Sequence, residues 1–530
     1  MAKKNSRTTN TIFNFTSSIG GQLITIVMKF VVRTVFINTL GRQYLGIGGL
    51  FSNILSMLSL VDLGVGSAIL YKLYEPIAKD DHKRIASLMR FYKTIFRIIG
   101  LVVLAIGLCM IPFLPYLAKD YDKLSGLNIN ATFIFILYLL ESVSSYLFFA
   151  YKSAIIKANQ KEYLVTVVGY FFTIGAGILQ MILLVLFHNF ELYVTVTILK
   201  VIGHNVVCAI IADRQYPYIN DKSAEKISKE EFRDILKDCG SIFLYKMNSV
   251  VVKATDNLVL SVFMGLEIVG VYSNYYIFYT TIRTLFGKIF NSVSHSLGNL
   301  HTTHDSKHEY SIFESVMLVS AILGGTAFAG IAVVGDECVQ TWIGNDWLLP
   351  QPFAILMGLE LYTAAFKMAL SKYRTTMGLF QQAKFRPLAG MLINLGVSIA
   401  LVNVWGIGGV LVGTIASDWL TFMWFDPLII HKHGFGEGYS VFKYYFKFLR
   451  NFVIACAVGA VDMFICKHFF VGYGWFSVIV HACIVGVTVP AAIIIVSVKN
   501  DEGQYIIGML KRSMKKMGKK MGRKMGRKKA

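Results

Sequence analysis

The residues with chemistry to offer are charged side chains set inside stretches that otherwise suit lipid. Lys29 and Arg33 stand four apart in one apolar run and so share a helix face. Lys246 and Lys253 stand seven apart in another, with Asp256 one turn later. Arg283 and Lys288 occupy the next run, Lys200 a run of its own, and Glu360 and Lys367 one more. The remaining acids are Asp62, Glu141 and Asp418. Charge is costly in hydrocarbon, so such groups face an internal cavity, pair with one another, or reach the interface. Arginine offers a planar fork to phosphate or carboxylate, and lysine offers a point charge. The pattern therefore nominates Lys29, Arg33, Lys200, Lys246, Lys253 and Arg283 as binders of an anionic substrate. Asp62, Glu141, Asp256 and Glu360 are the candidates for ion coupling.

Each candidate also has a purely structural reading. Lys288 and Lys367 lie near cytoplasmic ends and Arg33 near an outer end, where long side chains snorkel to the interface. Lys253 and Asp256 could satisfy each other. Asp62 adjoins Gly64 and Gly66, which suits a helix contact as well as ion coupling. Lys200, Glu141 and Glu360 fall near mid-span, where only a cavity or an interhelical pair will serve. No catalytic residue is nominated, because no phosphate-cradling loop, nucleophile elbow or metalloprotease motif is present. His301, His304 and His308 share a face but lack carboxylate company, and seven scattered cysteines show no zinc-ligand spacing, so no metal site or cofactor is expected.

The elements that must hold these charges are membrane helices. A spanning helix needs about 20 mostly apolar residues. Fourteen such stretches are expected, at 12–37, 44–70, 93–117, 131–152, 163–187, 190–212, 239–264, 267–292, 311–334, 351–372, 387–403, 407–430, 448–468 and 474–497. The mean hydropathy of +0.57 agrees. The first stretch is too long and too charged for a cleavable signal. Lysine and arginine cluster at the N-terminus and after even-numbered spans, which predicts that both termini are cytoplasmic. The net charge of +21 owes +10 to residues 498–530, a low-complexity tail suited to anionic phospholipid headgroups rather than nucleic acid.

The longest polar interruption, 213–238, divides the first twelve spans into two sets of six. The expected organisation is an N-lobe at 1–212, a linker at 213–238, a C-lobe at 239–431, two further helices within 432–497, and the basic tail at 498–530. A weak repeat supports duplication. Gly41 and Gly46 are matched 224 residues later by Gly265 and Gly270 in the same apolar frame, at equivalent spans. Both halves would run the same way, as in a parallel repeat about the membrane normal. The fold class is thus an all-α polytopic bundle with two six-helix lobes and an added pair. Cations on the leading helices of both lobes would then line a cleft.

Four segments carry a resemblance. Residues 33–47 (RTVFINTLGRQYLGI), 60–69 (LVDLGVGSAI), 151–163 (YKSAIIKANQKEY) and 405–417 (WGIGGVLVGTIAS) follow one another in the order and spacing of one family. Over about residues 10–430 the chain resembles the polysaccharide transporter family of the multidrug/oligosaccharidyl-lipid/polysaccharide (MOP) exporter superfamily. The resemblance implies alternating access. It also implies flipping of undecaprenyl-pyrophosphate-linked sugar repeat units to the outer leaflet of a bacterial cell membrane, alongside polysaccharide polymerase machinery. An H+ or Na+ gradient or the membrane potential would drive the step. A drug or metabolite antiporter of the same superfamily is the alternative, although its cavity would favour carboxylates. A membrane glycosyltransferase is excluded by outward loops of roughly 15 residues, which are too short to house a catalytic domain.

Overall fold

A computed structural model describes residues 7–59, 65–119, 121, 130–221, 223–225, 227, 228, 230–233, 235, 254–301, 306–379, 381–383, 385–436, 438–469, 471–505 and 508. All regular structure among them is helical. In chain order the principal helices are α1 (Arg7–Leu40), α2 (Arg42–Leu58), α3 (Val65–Ala78), α4 (His82–Met110), α5 (Ala131–Leu147), α6 (Glu162–Phe187) and α7 (Phe190–Gln215). They continue with α8 (Ala254–Met264), α9 (Leu266–His301), α10 (Ser306–Ile343), α11 (Phe353–Thr376), α12 (Arg386–Trp405), α13 (Ile407–Asp418), α14 (Val441–His468) and α15 (Trp475–Ser497).

Local chemistry explains where several begin. Asp81, Asn130 and Asn189 accept the orphan backbone N–H groups of Arg84, Phe133 and Leu192 at 3.0, 3.0 and 2.8 Å, capping α4, α5 and α7. Without such caps the first N–H groups of a helix would have no partner.

Among the described residues ten helices are long and apolar enough to cross a membrane. Counting α5 with its continuation Ala150–Ala158, bent by 44°, as one span makes eleven. The expected count of fourteen is not reached, for three identifiable reasons. The span at 44–70 holds only the 17-residue α2 before residues 60–64, which lie outside the described residues. The span at 239–264 is described only from Ala254 and leaves the short α8. The span at 267–292 is the long helix α9, whose run Ser273-Asn274-Tyr275-Tyr276 lowers its hydropathy.

The chain divides into two compact units, Met1–Ser273 and Asn274–Ala530. Within the first, α1 packs on α6, α4 on α5, α5 on α7, and α6 on α7. Within the second, α10 packs on α11, α11 on α13, and α12 on α13, while α14 and α15 pack on α10 and on each other. The pairings α4–α5, α5–α7 and α6–α7 thus recur as α10–α11, α11–α13 and α12–α13.

Geometry explains the repeated glycines. Gly41 and Gly265 adopt φ of 86° and 94°, in the left-handed region that glycine enters without penalty, so both helix breaks need them. Gly46 and Gly270 serve a different purpose. A Cβ on Gly46 would collide with the Leu266 carbonyl, and one on Gly270 with the Arg42 carbonyl. Each glycine therefore admits the backbone beside the other turn, inside the first unit, and Arg42 and Glu267 pair across the contact at 3.0 Å.

Candidate functional site

In the first unit, the charge cluster begins at Arg33 on α1. The preceding residue Val32 and the following Phe36 are buried, so the guanidinium leaves α1 on a packed face. It donates to the Ser273 hydroxyl, which donates in turn to the Gly270 carbonyl at 2.6 Å. Tyr138 of α5 and Tyr193 of α7 stand within its electrostatic reach. The Tyr193 ring is fixed edge-on to Phe36, with centroids 5.0 Å apart, and stacks on Phe190. Glu141, one turn beyond Tyr138, acts on both tyrosines, and Lys200 of α7 acts on Glu141. Arg33, Tyr138, Glu141, Tyr193 and Lys200, of α1, α5 and α7, are thus linked by electrostatic reach, with Ser273 of α9 bonded to Arg33.

In the second unit, α9, α11 and α13 do the same work. Arg283 donates to the Tyr279 hydroxyl one turn earlier on α9, and that hydroxyl donates to Glu360 of α11. The guanidinium stands 3.7 Å from the same carboxylate. Tyr276 stacks on Tyr279, with centroids 5.3 Å apart. Two turns beyond Glu360, Lys367 bonds Asp418 of α13 at 2.6 Å and lies 4.0 Å from the centre of the Phe422 ring. Glu360 is in turn within reach of both Lys367 and Asp418. The result is a continuous row: Arg283, Tyr279, Glu360, Lys367, Asp418. Buried polar groups survive in low dielectric only when paired in this way.

The structure therefore distributes the sequence candidates over the two units. Arg33, Glu141 and Lys200 come together in one, and Arg283 and Glu360 in the other. Lys29 is exposed on α1, one turn before Arg33. Asp256 is buried near the start of α8, beside the buried Thr255 and Asn257. Asp62, Lys246 and Lys253 lie outside the described residues. Lys367, which could have snorkelled, is instead engaged by Asp418.

Sequence reasoning missed the hydroxyls. Tyr138 precedes Glu141 by three residues and Tyr279 precedes Arg283 by four, the spacings at which helical side chains meet, so the signal was available. It also passed over a second buried charge set. Asp426, fully buried in the π-bulged continuation of α13, pairs with Arg386 and lies 3.7 Å from Arg374. Arg386 also lies 3.6 Å from the centre of the Phe422 ring, a cation–π contact that no reading of spans would find.

Over residues 40–352 the chain matches the family described as "Polysaccharide biosynthesis protein". Among solved structures it is similar to the lipid II flippase MurJ in an inward closed conformation, at 13% identity and a TM-score of 0.63, covering 92% of this chain and 99% of that one. It is also similar to an inward-facing multidrug resistance MATE family transporter of the MOP superfamily, at 14% identity and a TM-score of 0.56, covering 76% of this chain and 93% of that one. The MATE multidrug transporter DinF-BH gives 16% identity and a TM-score of 0.56, over 80% and 96% of the two chains. At these identities the likeness is one of fold. None of the curated proteins compared with the chain matches its sequence.

Proposed function

Because the chain belongs to the polysaccharide biosynthesis protein family, we propose that it is a flippase for lipid-linked oligosaccharides, of the MOP superfamily. It is a multi-pass membrane protein built as a transporter rather than as an enzyme. The substrate is an undecaprenyl-pyrophosphate-linked repeat unit, carried by alternating access from the inner to the outer leaflet of a bacterial cytoplasmic membrane for capsule, O-antigen or exopolysaccharide. Both termini are cytoplasmic in this reading. The basic tail rests on anionic phospholipids, and the polysaccharide polymerase machinery receives the product.

The observation that carries the proposal is the family match, which covers more than half of the chain. The half-buried Arg33 gives it chemistry. Arg33 is held among hydroxyls that can rotate toward or away from it, so a pyrophosphate can replace those hydroxyls without leaving a donor stranded. Glu141, within electrostatic reach of Lys200, and Glu360, 3.7 Å from Arg283, are the groups through which an H+ or Na+ gradient or the membrane potential would act.

The drug-antiporter reading draws on the MATE likeness in fold. The flippase structure, however, follows 92% of this chain against 76% and 80% for the two drug transporters. The test is the leaflet location of lipid-linked repeat units after deletion of the gene in its host. Complete units trapped on the cytoplasmic face, with surface polymer lost, is the expected result. Normal outward units with altered drug sensitivity would overturn the flippase in favour of the antiporter.

A further inference from the structure

The outer end of the second unit contains a polar junction that the transport reading does not use. His481 of α15 is buried, and both its ring nitrogens are engaged. Nε2 lies 2.9 Å from the Phe469 carbonyl just beyond α14, and Nδ1 lies 2.7 Å from Glu337 Oε2 of α10. One imidazole thus ties three helices together, and it also satisfies a carbonyl that the end of α14 would otherwise leave unpaired.

Proton counting decides what this arrangement requires. A backbone carbonyl only accepts, so Nε2 must carry a hydrogen. A neutral imidazole of that tautomer has a bare Nδ1, and a carboxylate has only lone pairs. Two lone pairs facing at 2.7 Å repel. The contact therefore exists only with one further proton in it, on the imidazole as an imidazolium–carboxylate pair or on Glu337 as a carboxylic acid donating to Nδ1.

We propose that Glu337 and His481 form a proton-binding site that fastens the two C-terminal helices to α10, and that loss of this proton releases the fastening. The Glu337 side chain is 26% exposed, so water can deliver and remove the proton. The surroundings do not substitute for it. On α10, the neighbouring Asp336 is taken by Tyr275 and Gln351, and Cys338 stands beside Glu337. On α14, Asp462 accepts from Thr488 of α15 at 2.6 Å, and Cys466 lies near Asp462 and Glu337. Lys467 and His468, in the last turn of α14, are exposed, and His468 Nδ1 is bonded to the Phe464 carbonyl. On α15 itself Cys483 is exposed.

At the opposite end of these helices, Lys447 of α14 bonds Glu314 of α10 at 2.6 Å and Glu502 at 2.9 Å. Lys443 also lies 3.4 Å from Glu314, so this junction sets two lysines against two carboxylates and needs no extra proton. Only the outer fastening is conditional on pH.

The test is thermal unfolding of the purified full-length protein in detergent from about pH 6 to about pH 10, the range that spans histidine and its shifted values. The folded junction binds its proton more tightly than the unfolded chain does. Its stabilisation is therefore present at low pH and is lost as pH rises. In Glu337→Gln the amide N–H donates to the bare Nδ1, so the junction closes with no titrating proton. Wild type should lose several degrees of midpoint relative to Glu337→Gln as pH rises. If Glu337→Gln does not accumulate, His481→Gln supplies the same comparison, since its amide donates to the Glu337 carboxylate. A Glu337→Gln or His481→Gln curve parallel to wild type across the whole range would overturn the proposal.

Discussion

The two units answer the same problem, charge in a lipid environment, with different balances. In the first, the guanidinium of Arg33 bonds a serine hydroxyl within electrostatic reach of two tyrosines, and Glu141 and Lys200 act on each other nearby. In the second, Arg283 lies 3.7 Å from a carboxylate with a tyrosine between them, and the row ends in the lysine–aspartate bond of Lys367 and Asp418. Equivalent helices even carry opposite signs. Lys200 lies on α7 and Asp418 on α13, the helices that pack alike on α5 and α11. The lesson is one of division of labour. In the proposed reading the first cluster keeps a cation among groups that an anionic ligand displaces, while the second holds its cations beside carboxylates, Arg283 by Glu360 and Lys367 by Asp418.

That contrast can be broken by substitution, beginning with the largest expected effect. Arg33→Ala should abolish polymer export while membrane insertion and expression stay normal. Truncating one partner of a hydrogen-bonded charge pair costs about 2–5 kcal/mol or more, roughly 30-fold to several thousand-fold in export. Arg33→Lys should recover only part, because an ammonium cannot form the bidentate fork. Lys253→Ala is expected to behave like Arg33→Ala in the same polymer-export assay.

In the second unit substitution should cost stability as well as the coupling proposed for Glu360. Glu360→Ala leaves Arg283 facing an emptied partner in a buried site, and removal of one member of such a pair costs about 3–5 kcal/mol. The double replacement Arg283→Ala with Glu360→Ala should regain part of that loss in thermal unfolding. A double-mutant cycle showing no coupling would place the two side chains in independent roles and erase the contrast.

A smaller effect is expected at Lys367→Gln. It keeps a donor for Asp418 but loses the charge, at a cost of about 1–2 kcal/mol for one charge-assisted hydrogen bond. Lys200→Gln, read in the same unfolding assay, should cost less than Lys367→Gln.

The smallest effect belongs to a pair outside the membrane. Glu75 and Lys79 are bonded at 2.7 Å in the open, and the Lys79 ammonium holds the Glu75 carboxyl below the usual carboxylate range. A depressed carboxyl contributes stability above its unfolded value and loses it as pH falls. Solvent screens this exposed pair, however. Lys79→Ala should move the Glu75 titration back up, as read by NMR, with no measurable change in unfolding midpoint.

Much of the helix pattern was legible in the sequence because long apolar runs announce themselves. The repeat was legible too, since Gly41 and Gly265 stop helices by the same backbone rule. Its meaning was not. That Gly46 and Gly270 give each turn access to the other depends on a contact between segments over two hundred residues apart, which no local pattern encodes. The charge clusters were half legible. Spacing identified Arg33, Glu141, Lys200, Arg283 and Glu360, since a charge amid apolar residues stands out. It could not pair Tyr279 with Glu360, or Lys367 with Asp418, because helix rotation decides which faces meet. Arg374 and Arg386 escaped notice because they sit at helix ends, where charge is ordinary until burial is known, and Asp426 because its partners lie on other helices.

The central claim is that Arg33 serves an anionic lipid-linked sugar. It is tested most directly by transfer of an undecaprenyl-pyrophosphate-linked oligosaccharide across vesicles reconstituted with purified wild-type protein or Arg33→Ala, at equal protein content. Rapid transfer with the wild type and background transfer with the variant is the predicted result. Equal transfer by both would contradict the assignment of Arg33, and no transfer by the wild type, under an imposed H+ gradient, Na+ gradient or membrane potential alike, would contradict the flippase itself.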